Sequence, residues 1–143
     1  MKKVNVMKKL LDISELTKEI KTPRQDNEEI SMKGLNHSAR DIIGVLSRQG
    51  SMNQRSLSKF VGCSPQAISK AITKLEGKKL IIKESGSQKN ENNIFLTELG
   101  EKTDVELKKI IENHSEIIFG SFSEDELILF MDMLNRIERN IRN

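Results

Sequence analysis

Gln66, Ser69, Lys70, Thr73 and Lys74 fall on one side of a helical stretch whose other side is Ala67, Ile68, Ala71, Ile72 and Leu75. Side-chain amides and hydroxyls donate to and accept from base edges, and ammonium groups contact phosphates. Gln66 and Ser69 suit the first task, and Lys70 and Lys74 the second. Thr73 shares their face, and Ser64 stands at its start as a helix N-cap. Just upstream, Lys59 adds a phosphate contact, and Arg55 can serve either role. A polar face on a lone helix is ordinarily no more than a solvated surface. Here it is preceded by a second short helix and a tight Gly62-Cys63-Ser64-Pro65 turn, and followed by a polar hairpin. That order is a winged helix-turn-helix, which presents one helix to the major groove of double-stranded DNA. Lys89, in the hairpin loop, is the cation that would lie against the backbone or minor groove.

Charge agrees with this reading. The whole chain of 143 residues carries a net charge of only +3, but the sign is unevenly spread. Residues 48–93 hold 9 Lys/Arg against Glu76, Glu84 and Glu91, for +6, whereas residues 94–143 carry −5. A basic middle points to a polyanionic partner.

The remaining chemistry is sparse. Cys63 sits in the helix-turn-helix turn, where a small packed hydrophobe fits better than a sensing thiol. His37 and His114 lack the Cys or His spacing of a metal site, so no metal and no cofactor are expected. No glycine-rich phosphate loop, nucleophile elbow or His/Asp/Ser set is present, and an enzyme is not expected. A single cysteine, the lack of an apolar run long enough for a membrane span and the lack of a secretory segment suggest a cytoplasmic protein. With five Phe, no Tyr and no Trp, the core must be aliphatic.

The elements that would position the basic face can be laid out in order. A first helix spans about Lys3 to Lys21 and ends at Thr22-Pro23, and residues 22–34 form a polar connection. A second helix follows Asn36 as N-cap, with Ala39, Ile42, Ile43 and Leu46 inward, and stops at Gly50. Ser51-Met52-Asn53-Gln54 reads as a capping box opening a short helix with Leu57, Phe60 and Val61 inward. Ser64 and Pro65 start the fourth helix. Strands at 80–83 and 93–96 flank a loop from Glu84 to Asn92. Two helices close the chain, the last opened by a capping box at Ser123-Glu124-Asp125-Glu126. The fold class is mainly α with a small β-hairpin wing.

In Leu75-Glu76, Leu80-Ile81 and Leu96-Thr97-Glu98-Leu99-Gly100, at their spacing, residues 35–143 resemble the multiple-antibiotic-resistance-regulator (MarR) family of transcription factors. The resemblance implies one domain over 1–143, with a winged-helix lobe at 35–100 and a helical dimerisation layer from 1–34 and 101–143. It also implies a homodimer acting as a repressor on a pseudo-palindromic operator, released by a small ligand or oxidant. The family's ligand cleft would be lined here by Met7, Leu11, Ile42, Leu46 and His114. Two positions depart from the family. Lys79 stands where a glycine precedes the wing, and Gln88-Lys89-Asn90 replaces Asp-x-Arg, so the arginine that reaches the minor groove is missing. That loss leaves an alternative open: a winged-helix protein-interaction module, an antirepressor or scaffold. Dimerisation has its own support in the last helix, where Leu127, Phe130, Leu134, Ile137 and Ile141 repeat about every seven residues in pairs. Val4 lies on the similarly apolar first helix.

Overall fold

The computed structural model describes residues 2–21, 34–85 and 92–143. In chain order the elements are α1 (Lys2–Thr17), α2 (His37–Gln49), β1 (Met52–Asn53), α3 (Gln54–Val61) and α4 (Pro65–Gly77). They continue with β2 (Ile81–Ser85), β3 (Asn92–Leu96), α5 (Glu98–Phe119) and α6 (Glu124–Arg142). The chain divides into two compact units, Pro23–Lys109 and the pair Met1–Thr22 with Ile110–Asn143.

The unit spanning 23–109 is built around α2. The Asn36 side chain caps it by accepting from the Ala39 amide at 2.9 Å, and Gly50, at φ 78°, ends it with its N–H on the Leu46 carbonyl. Between those caps Ala39, Ile42, Ile43, Val45 and Leu46 are buried. Leu57 of α3 and Ile68, Ala71, Ile72 and Leu75 of α4 meet them, with Leu80, Ile81, Ile94 and Leu107 completing the cluster. Every member is aliphatic, as the scarcity of aromatic residues required.

Three expectations change here. The sheet has three strands in the order β1-β3-β2, not two, because Met52 and Asn53 pair with Ile94 and Asn93. Ser51 therefore does not cap α3. Asn53 does, its Oδ1 accepting from the Ser56 amide at 2.8 Å. Asparagine caps as well as serine, and the extended backbone before it satisfies an edge of β3 that would otherwise stay open. Phe60 is 59% exposed rather than inward. Leu57 and Val61, one turn apart, occupy the inner side of this eight-residue helix and leave Phe60 on its flank.

The wing strands also run further than expected, with Glu84 opposite Asn93 and Ser85 opposite Asn92. Polar composition concealed them, since backbone pairing needs no apolar side chain. Residues 86–91, including Lys89, and the connection over 22–33 lie outside the described residues. α1 stops at Thr17 rather than Lys21. Beyond it Lys18, Glu19 and Ile20 bond to carbonyls three residues back, and the Thr17 hydroxyl takes the Ser14 carbonyl at 2.8 Å.

The junction between α4, β2 and α5 rests on a clasp. The Thr97 hydroxyl donates to the Lys79 carbonyl at 2.7 Å and accepts from the Gly100 amide at 3.0 Å, while the Thr97 amide donates to the Leu80 carbonyl at 3.1 Å. One side chain thus caps α5 and ties it to the turn that opens the wing. Lys79, in that turn, has φ 60° and is the one non-glycine residue with positive φ among those described. Its side chain is exposed, so it brings no packing to offset the left-handed backbone. Relief of that strain is worth about 1–2 kcal/mol, and glycine's extra unfolded-state entropy takes back about 0.5–1 kcal/mol. Lys79→Gly is therefore expected to raise stability by roughly 0.5–1 kcal/mol, measured as an upward shift of the urea midpoint at fixed protein concentration.

The other unit is helical and contrasts sharply with the first. α6 starts from a complete capping box, with Ser123 Oγ accepting from the Glu126 amide and Glu126 Oε2 accepting from the Ser123 amide. Phe119 meets Phe122 edge-to-face and Phe130 at a tilt, at centroid distances of 5.8 and 6.0 Å. Yet neither α1 nor α6 buries a single described residue. Val4, Met7, Leu11 and Leu16 of α1 are exposed, as are Leu127, Leu134, Ile137 and Ile141 of α6.

Candidate nucleic-acid interface

The turn between α3 and α4 is set by local chemistry. Gly62 takes the left-handed region at φ 71°, and its N–H bonds the Ser58 carbonyl at 2.9 Å. Ser58 Oγ donates to the Cys63 carbonyl at 2.8 Å, bracing the same turn from the other side. Ser64 then caps α4, its hydroxyl accepting from the Ala67 amide at 3.2 Å, with Pro65 at the first helical position. Proline there has no amide to leave unsatisfied. Ser64 is thus committed to the helix start.

Burial of Ile68, Ala71, Ile72 and Leu75 fixes the rotation of α4 and turns the other face outward. Gln66, Ser69, Lys70, Thr73 and Lys74 are all exposed. Lys74 lies at the edge of this face, its Cε 3.4 Å from where a Cβ on Gly34 would stand. Arg55 and Lys59, both exposed on α3, flank the start of α4 across a groove of about 420 Å³ lined also by Gln54, Ser58, Pro65 and Ile68. No Asp or Glu occurs between Gln54 and Leu75. Among the described residues none of the four cations on this face is held in an ion pair. They stay free to meet phosphates, and the amino end of α4 adds its partial positive charge. Gln54 and Ser58 were missed in the sequence. Their signal is a helical spacing of four, which places both beside the turn that α4 follows.

Other candidate residues fall elsewhere. Ile42 is fully enclosed in the core and offers no surface. Leu46 borders a cavity of about 440 Å³ with Ser47, Phe95, Leu96, Asp104 and Lys108. Asp104 is buried there, accepting from Ser47 Oγ at 2.7 Å and from Lys108 Nζ at 2.8 Å. Met7 and Leu11 are exposed on α1. His114 is half-buried, with its Nε2 enclosed and without a partner among the described residues. His37 is exposed, 3.2 Å from Asp41. Cys63 packs half-buried against the core, its Sγ 3.4 Å from Ser38 Oγ. The described residues contain no group of three His, Cys, Asp or Glu able to hold a metal ion, and no helix long and apolar enough to cross a membrane.

Comparison with known proteins places this geometry. The MarR family model matches residues 35–92, which run from just before α2 to the first residue of β3. The structure is similar to the PcaV transcriptional regulator from Streptomyces coelicolor in complex with its natural ligand. The TM-score is 0.72 at 17% identity, over 94% of this chain and 89% of that one. It is similar to a MarR-like transcriptional regulator from Thermotoga maritima, with a TM-score of 0.64 at 16% identity over 98% and 96%. It also resembles MepR of S. aureus in a DNA complex, with a TM-score of 0.63 at 22% identity over 74% and 78%. None of the curated proteins matches the chain in sequence. At these identities the solved structures speak for the fold, and the family model matches the segment 35–92 alone. Taken with a three-stranded wing behind a capped α4, they give the chain a winged-helix fold, in which residues 35–92 match the MarR family model.

Proposed function

We propose that the chain is a sequence-specific regulator of transcription that binds double-stranded DNA as a homodimer, repressing from a pseudo-palindromic operator. The carrying observation is the exposed face of α3 and α4, where Arg55, Lys59, Lys70 and Lys74 are unpaired among the described residues and no carboxylate intrudes. Such a face binds phosphates by releasing counterions, and its α4 side chains reach base edges. The described cation of the wing strands is the exposed Lys83, and Lys89 extends the same role into the loop.

The relatives support the same reading. MepR is described in complex with DNA, and regulation of DNA binding by 6-hydroxynicotinic acid is described for BpsR of Bordetella bronchiseptica. A small-molecule effector is accordingly part of the proposal; of the residues expected to line its site, Ile42 is enclosed in the core and drops out.

A salt titration tests the core of it. Affinity for selected duplexes should fall steeply as salt rises, with a logarithmic slope near −0.9 for each phosphate contacted. Lys59→Ala is expected to weaken binding on all sequences alike and to flatten the slope by about one. Binding that is insensitive to salt, or equal on every sequence, would sink the proposal. Capture of a protein partner that survives Lys59→Ala, Lys70→Ala and Lys74→Ala together would favour the interaction-module alternative.

A further inference from the structure

Resting on that reading, we propose that α4 reads A·T pairs at two positions about three base pairs apart in each half-site, adenine through Gln66 and a thymine methyl through Thr73. Gln66 and Thr73 stand seven residues apart on the exposed face, one near each end of the reading surface. At 1.5 Å per residue that is about 10.5 Å, the rise of about three base pairs at 3.4 Å each.

Thr73 is informative because its hydroxyl is already used. Thr73 Oγ1 donates to the Ser69 carbonyl, one turn back, at 3.0 Å. A hydroxyl has a single O–H to give. With that donor spent on the helix backbone, the side chain offers its methyl and an acceptor lone pair, and an A·T pair presents the thymine C5-methyl to the one and the adenine N6 amino group to the other. Gln66 carries no side-chain hydrogen bond among the described residues. Its amide offers one donor and one acceptor side by side, the pattern that adenine N7 and N6 complement. α4 has no arginine along PQAISKAITKLEG, so a guanine, where one is read, falls to Lys70 or Lys74 and not to Gln66 or Thr73. Ser69 and Lys70, between the two readers, accept more than one base or hold phosphate. The middle of the half-site is therefore the permissive part.

The experiment is selection from a random duplex library with the full chain, followed by titration of selected duplexes carrying uracil in place of single thymines. Adenine and thymine are expected at two positions about three base pairs apart in each half-site. Gln66→Ala should make the adenine position degenerate, with a loss of about 5- to 150-fold for the preferred duplex, and leave the other position intact. Uracil at the Thr73 position removes one methyl and should cost the native chain about fourfold. Thr73→Ser keeps the hydroxyl and its backbone bond, and should make the chain indifferent to that uracil. If specific sites are selected but these positions prefer guanine, or uracil is silent throughout, the inference is wrong while sequence-specific binding stands. If no sequence is selected at all, both fall together.

Discussion

Gly100→Ala is expected to destabilise the winged-helix unit by about 3 kcal/mol or more, at the upper end of what overpacking costs. A Cβ at Gly100 would overlap the carbonyl oxygen of Leu80 and stand 3.0 Å from Leu96 Cδ2. The oxygen belongs to backbone that cannot swing aside, because it already accepts the Thr97 amide. Making room means parting α5 from the turn before β2, and with it breaking the Thr97 clasp on Lys79. Gly77 supplies the control. It closes α4 with nothing within 4 Å of an added Cβ, so Gly77→Ala should be neutral or stabilise by about 0.4–1 kcal/mol. Urea midpoints of the two variants at one protein concentration decide the matter. Equal midpoints would mean that the close approach of α5 to the wing turn is not what holds the unit together.

The same pair of glycines marks where the sequence could and could not be read. The block Leu96-Thr97-Glu98-Leu99-Gly100 was legible as a family feature, but its spacing does not reveal that Thr97 bonds both Lys79 and Gly100. Those are contacts between residues up to 18 apart in the chain. Caps were legible because they are local. Asn36, Ser64 and Ser123 each accept from an amide three residues on, which is a property of four consecutive residues. Ser51 failed for a non-local reason: β3 arrives more than 40 residues later to pair with Met52, and that pairing moves the cap to Asn53.

For the candidate site the division is similar. The outward face of α4 followed directly from its apolar stripe, since burying Ile68, Ala71, Ile72 and Leu75 leaves only one direction for Gln66, Ser69, Lys70 and Thr73. What the pattern could not supply was the state of each group. That Thr73 has spent its donor on Ser69, and that Gln54 and Ser58 wall the groove where α4 begins, are facts of rotamer and packing. The substitution of Lys79 for glycine was visible as a departure, and its left-handed backbone explains why glycine suits the position.

Leu134→Glu is expected to abolish the proposed homodimer and, with it, most of the affinity for a two-fold operator. Leu127, Phe130, Leu134, Ile137 and Ile141 follow one another at intervals of three and four, which keeps them on one seam of α6 as two-helix packing demands. In the single chain Leu134 remains 38% exposed, Ile137 43% and Ile141 79%, alongside the exposed apolar residues of α1. An exposed apolar seam of that kind is the surface that the proposed homodimer would bury. A carboxylate at the centre of the seam would lose its water without gaining a partner, at a cost of several kcal/mol per dimer. The winged-helix unit has its own core, so it should survive the change. Sedimentation at micromolar concentration is then expected to give the 16.3 kDa chain instead of a species twice that mass. Operator affinity should fall by about 10²- to 10⁴-fold, as the second half-site loses its tethered partner. Ile128→Glu separates geometry from mere added charge. Ile128 is 63% exposed on the same helix but lies off the seam, so that variant should remain dimeric. A Leu134→Glu chain that still sediments as a dimer would show that α6 is not the surface holding two copies together, and the two-fold operator would then need another source of symmetry.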